Sequence, residues 1–117
     1  MQNIPPQVQA MLGQLESYQG QLQLLIQQKQ KVQLELNDAK KALEEIEKVE
    51  RETVIYKTVG TLVVKTTKEK ALEELKEKVE TLEIRLNALE RQEKKLNEKL
   101  KELTAQIQSS LKPPVAG

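Results

Sequence analysis

Apolar residues recur along most of this chain at alternating steps of three and four. From Val8 the steps meet Met11, Leu15, Tyr18, Leu22, Leu25, Lys29, Val32, Leu36, Ala39, Leu43 and Ile46, so eleven of twelve sites are apolar. From Leu72 they meet Leu75, Val79, Leu82, Leu86, Leu89, Glu93, Leu96, Leu100, Leu103 and Ile107, ten of eleven apolar. An apolar content of 38% would give about nine such sites in the 23 by chance, so the stripes predict two heptad helices. Helix 1 is expected over residues 6–50 and helix 2 over 67–112, each roughly 65 to 70 Å long at about 1.5 Å per residue. Pro5-Pro6 suits a first helical turn, Thr66 and Glu69 have capping-box spacing, and Pro113-Pro114 ends helix 2 ahead of a flexible tail at 113–117. Glu44 with Lys48, Glu47 with Arg51, Glu74 with Lys78 and Glu90 with Lys94 stand at i,i+4 on the solvated faces.

Between the helices the period changes to two and the residues become β-branched. Val54-Ile55-Tyr56-Lys57-Thr58, then Val59-Gly60, then Thr61-Leu62-Val63-Val64-Lys65 predict a β-hairpin within 53–66 that turns at Gly60. Val54, Tyr56, Leu62 and Val64 are expected to share or supply a buried face, according to a register the sequence leaves open. Gly60 lies at the centre of the chain, and the features on either side mirror one another, down to the two polar seam residues Lys29 and Glu93. The expected fold is therefore mostly α, a single domain over 1–117: a long antiparallel two-helix coiled-coil hairpin joined by a central β-hairpin. Lys29 and Glu93 fall at similar heights, where they either pair and set register or each reach out to solvent.

Composition narrows the function. The 117 residues hold no Cys, His, Phe or Trp and two Tyr. Thiol chemistry, the commonest general base and the commonest metal ligands are absent, and no phosphate-binding loop or nucleophile–base pair is visible, so no catalytic, cofactor or metal site is expected. Lys+Arg 19 against Asp+Glu 18 gives a net charge of +1, too balanced for a nucleic-acid or anionic-membrane surface. The longest apolar runs, such as Leu24-Leu25-Ile26, are far short of a membrane span, and residues 1–6 lack the regions of a signal peptide, so a cytoplasmic protein is expected. Abundant Glu and Lys without Cys fits a heat-adapted source.

Charge is distributed unevenly. Residues 1–28 carry only Glu16, and residues 105–117 only Lys112. A hairpin brings these two segments together as one distal tip, where Ile4, Val8, Met11, Leu12, Leu15, Ile107, Leu111 and Val115 exceed what a two-helix seam can bury. Such a surface suits apolar segments of a partner without a fixed sequence; equally, the tips are simply less constrained or pair with one another. At the other end, an isolated two-stranded hairpin is marginal in water and presents unpaired edges. Several copies are expected to oligomerise through a β-sheet or barrel built from these hairpins.

The connector from Val54 to Lys65, with its Tyr56-Lys57-x-x-Gly60 core and Leu62-Val63-Val64-Lys65 strand between two heptad helices, closely resembles the β-type subunits of prefoldin, particularly the archaeal form. The likeness extends over essentially the whole chain. It implies an ATP-independent holdase in which two α-type and four β-type subunits join through β-barrels and project helical arms. The arms hold non-native polypeptides and pass them to a group II chaperonin. Carried onto this chain, Ile4, Val8, Met11, Leu12, Leu15, Ile107 and Leu111 would contact clients, and Val54, Tyr56, Val59, Gly60, Leu62 and Val64 would form the assembly surface. The rival reading is a scaffolding coiled coil with one specific partner.

Overall fold

Pro5 and Pro6 open the first helix because a proline at the first helical position gives up an amide that would have had no partner. The Pro5 carbonyl accepts the first bonds, from the amides of Val8 and Gln9 at 3.0 Å each. In this computed structural model, which describes residues 4–111, the elements are α1 (Pro6–Lys48), β1 (Ile55–Val59), β2 (Leu62–Thr66) and α2 (Lys68–Leu111). Two long helices are thus joined by a central antiparallel β-hairpin. Pro113, Pro114, Lys112, Val115 and the expected tail lie outside the described residues.

The chain divides into two compact units. The terminal unit comprises residues 1–29 and 88–117, the central unit residues 30–87. In each, a segment of α1 runs antiparallel to a segment of α2. All the heptad sites of both stripes, Val8 to Ile46 and Leu72 to Ile107, are buried or half-buried. The core of the central unit includes Val32, Leu36, Ala39, Ala71, Leu82 and Leu86, and that of the terminal unit includes Val8, Leu25, Leu89, Leu96, Leu103 and Ile107.

The central unit holds the ends of both helices. Helix α1 stops at Lys48, and its last carbonyls are closed from α2: the Lys68 ammonium donates to the carbonyls of Glu47 (3.2 Å) and Val49 (2.7 Å). The cap of α2 is Thr67, whose Oγ1 accepts from the Lys70 amide at 3.2 Å. Thr66, expected in that role, is the last residue of β2, bonded across the sheet to Ile55. Three of the expected i,i+4 carboxylates or cations find other partners. Arg51 lies past the end of α1 and meets Glu69 at 2.7 Å, Glu74 meets Lys57 at 2.8 Å, and Lys48 meets Glu45 at 3.6 Å.

Val59 pairs with Leu62, so the expected turn at Gly60 is the two-residue loop Gly60-Thr61. Gly60 takes φ +61° while no other residue among those described has positive φ. Glycine at the first turn position with an ordinary second residue is the type II′ pattern, whose twist matches that of paired strands.

In the terminal unit, the two polar seam residues face each other: the Lys29 ammonium donates to Glu93 Oε1 at 3.0 Å, with side chains 33% and 22% exposed. Each satisfies the other, and any slip of one helix past the other would leave both facing leucines. We expect Lys29→Leu alone, or Glu93→Leu alone, to destabilise the fold by roughly 1 to 2 kcal/mol, because each strands a charge in the seam. The double variant should recover that loss or exceed the parent. Guanidinium unfolding of the four proteins checks this; equal, additive losses from both substitutions would mean the pair contributes no coupling.

Candidate functional site

Two groups of side chains fall off the seam and carry apolar surface, one in each unit. In the terminal unit, Val8, Leu103 and Ile107 form a buried cluster, with Met11, Leu15 and Tyr18 packed against it. Val8 and Ile107, expected to contact a client, are therefore part of the core: their heptad positions continue the seam to the last turns of both helices, and they fill it from opposite sides. Met11 and Leu15 are half-buried for the same reason. The exposed members of the expected set are Ile4, Leu12 and Leu111.

Leu12 and Leu111 both occupy the seam-flanking position that the heptad labels e. In an antiparallel pair, e positions line the same edge. Leu12 lies 17 residues before Lys29 and Leu111 lies 18 after Glu93, so the Lys29–Glu93 register puts them at closely matched heights. Ile26, also exposed, lies on the same edge. The only charge on α1 between Pro6 and Gln28 is Glu16, and on the α2 side Lys101 stands among Asn97, Thr104 and Gln108, so this edge carries few charges.

In the central unit, the register sorts the hairpin side chains into two faces, since directly opposed residues point the same way. One face carries Ile55, Lys57, Val59, Leu62, Val64 and Thr66. Its end farther from the turn is half-buried at Ile55, Lys57 and Thr66, and Lys57 is held to α2 by two bonds to the Glu74 carboxylate, 2.8 and 3.1 Å. The other carries Tyr56, Thr58, Val63 and Lys65, all exposed, with Tyr56 at 63% and Val63 at 69%.

Tyr56 thus lies on the other face from Leu62 and Val64, because a two-residue turn opposes even-numbered residues to odd-numbered ones and side-chain direction alternates along a strand. None of Val54, Tyr56, Leu62 and Val64 is buried within the chain; all four are exposed. Val63, not among the expected assembly residues, shares the face of Tyr56. Gly60 sets the turn and Val59 sits beside it. Both outer edges of the two-stranded sheet are unpaired among the described residues.

Among the described residues no helix is long and apolar enough to cross a membrane, and no group of three His, Cys, Asp or Glu is placed to hold a metal ion. What remains is a class of protein whose surfaces are apolar contact patches set on a paired-helix seam and an uncovered β-hairpin.

Comparison with known proteins places the class. The family model described as "Prefoldin subunit" matches residues 9–113. The chain is 86% identical to the prefoldin subunit beta of Thermococcus gammatolerans and 81% identical to that of Thermococcus kodakarensis, each over 117 residues and the full length of both chains. Its fold is similar to the crystal structure of the prefoldin beta subunit from Thermococcus strain KS-1, with a TM-score of 0.89 at 82% identity, covering 97% of this chain and all of that one. The chain belongs to the prefoldin subunit family.

The division between core and surface in the terminal unit can be read from stability alone. Leu103→Ala is expected to cost about 2 to 5 kcal/mol, as a large-to-small change in a packed cluster. Leu12→Ser should stay within about 0.5 kcal/mol of the parent, as for a surface site away from packing. Chemical unfolding monitored by circular dichroism distinguishes the two; a large loss from Leu12→Ser would move that residue into the core.

Proposed function

We propose that this chain is a subunit of an ATP-independent holdase that binds non-native polypeptides through the terminal unit and delivers them to a group II chaperonin. The observation that carries the reading is the exposure of Ile4, Leu12 and Leu111 in a segment with almost no charge. Unfolded chains share exposed apolar side chains and little else. A receptor for them needs apolar area without fixed polar partners, and a border with few charges excludes few sequences. Membership of the prefoldin subunit family supports the same role. No catalytic step is assigned to any residue, and the protein is assigned to the cytoplasm.

Assembly falls to the hairpin. Tyr56 and Val63 on one face, Val59 and Leu62 beside the turn, and two open strand edges make a surface that a lone chain leaves wet. Pairing those edges with hairpins of neighbouring subunits would satisfy the backbone and bury the apolar faces together. The complex proposed contains two α-type and four β-type subunits, this chain supplying β copies, joined through β-barrels.

The test uses the chain assembled with an α-type partner. An unrelated enzyme is denatured chemically and diluted, and light scattering follows its aggregation. Aggregation should be suppressed at several-fold molar excess of the complex, and Leu12→Ser with Leu111→Ser should weaken that protection several-fold while mass and helix content stay constant. Val63→Glu should instead lower the mass of the complex. Unchanged aggregation with the parent protein would favour a scaffolding coiled coil with one specific partner and sink the holdase reading.

A further inference from the structure

The edge of the terminal seam opposite to Leu12 has a different chemistry. There, at the g positions of the heptad, α1 carries Gln14, Gln21 and Gln28 and α2 carries Gln92, Lys99 and Gln106, each set spaced by seven. Two adjoining grooves that share Lys99 run along this edge, of about 340 and 290 Å3, the first floored by Leu25 and Leu96 and the second by Tyr18 and Leu103. From Gln92 to Gln106 the edge runs 14 residues, about 21 Å or four helical turns.

Leu24 stands on the rim of the first groove, 58% exposed. Across from it, Lys95 and Lys99 complete the lining, which includes no carboxylate; Glu102 enters only in the second groove. Like most of the described cations, Lys95 and Lys99 have no carboxylate within 4.0 Å; what sets them apart is their place in the lining of an apolar-floored groove. Lys99 lies instead over the Tyr18 ring, 6.0 Å from its centre.

We infer that this edge is a docking groove for an acidic amphipathic helix of a partner protein, which lies against the two helices as a third. The walls decide the conformation of the occupant. Both are helical, with backbone groups already bonded internally, so an extended strand would find no main-chain partners here, whereas a helix satisfies its own backbone. The floor and the rim leucine decide its inner face: apolar residues at i, i+3 and i+4 settle on Leu24, Leu25 and Leu96. The unpaired cations decide its flank: carboxylates beside the apolar stripe meet Lys95 and Lys99, and a cationic flank would meet like charge. This groove differs from the edge assigned to non-native chains in recognising one secondary structure and one sign of charge, and it stands whether or not that assignment holds.

The probe is a fluorescent synthetic helix of about 16 residues with leucines at that spacing flanked by glutamates, and a counterpart with lysines in place of the glutamates. Anisotropy is followed as the full-length protein is added. The acidic peptide should bind saturably, at least roughly tenfold more tightly than its basic counterpart, and more weakly as salt rises. Lys95→Glu with Lys99→Glu should reverse the preference. Leu24→Gln, at an exposed position, should weaken binding several-fold with helix content unchanged, while Leu12→Ser leaves it alone. Equal binding of both peptides, no saturable binding of the acidic one, or an unaltered preference in the lysine double variant would each overturn the proposal. So would sedimentation showing that the free groove is already filled by a second copy of the chain, released by the same double variant.

Discussion

The seam between α1 and α2 is the constraint on which everything else in this protein depends. Each fully buried leucine or valine contributes about 1.5 to 3 kcal/mol, and within each unit the apolar cluster is formed almost wholly by seam residues. A two-helix pair can bury only a narrow stripe, so every residue off that stripe is surface by geometry. Function is therefore written in the positions flanking the seam and in the hairpin. The Lys29–Glu93 contact adds the one element of specificity that leucines cannot supply, since leucine stripes tolerate slippage and a half-buried opposite-charge pair does not. Through that register, Leu12 and Leu111 come to share one edge.

The features legible in the sequence were those with a period or a symmetry. Heptads, the change to a two-residue period, and the symmetry of Lys29 and Glu93 about Gly60 needed no tertiary information. The features that escaped depend on parity or on where a stripe ends. A two-residue turn always opposes even-numbered residues to odd-numbered ones, which places Tyr56 on the face of Val63 and on the other face from Leu62 and Val64. Strand β2 runs through Thr66, which leaves the cap of α2 to Thr67. In the terminal unit Val8 and Ile107, expected at the contact surface, lie in the core because the stripe continues through them, and a residue that continues a stripe is buried by it. Leu12 and Leu111 were identifiable as surface because they break the spacing.

Both units share this seam, yet their flanks differ. In the central unit most of the e positions are charged, and Lys40 meets Glu83 at 3.5 Å. In the terminal unit the corresponding positions include Leu12 and Ile26 on α1 and Asn97, Thr104 and Leu111 on α2. An exposed ion pair contributes only about 0 to 1 kcal/mol, so replacing such pairs with amides and aliphatics costs the fold little. It changes the surface greatly, because a partner no longer has to strip water from ions to reach the apolar stripe beneath. On the opposite edge the glutamines lower the same barrier, but two lysines remain without carboxylates, which keeps a preference of sign. One seam can thus carry two edges with different tastes, an apolar one with few charges and a cationic one, because the energy that holds the helices together resides in neither.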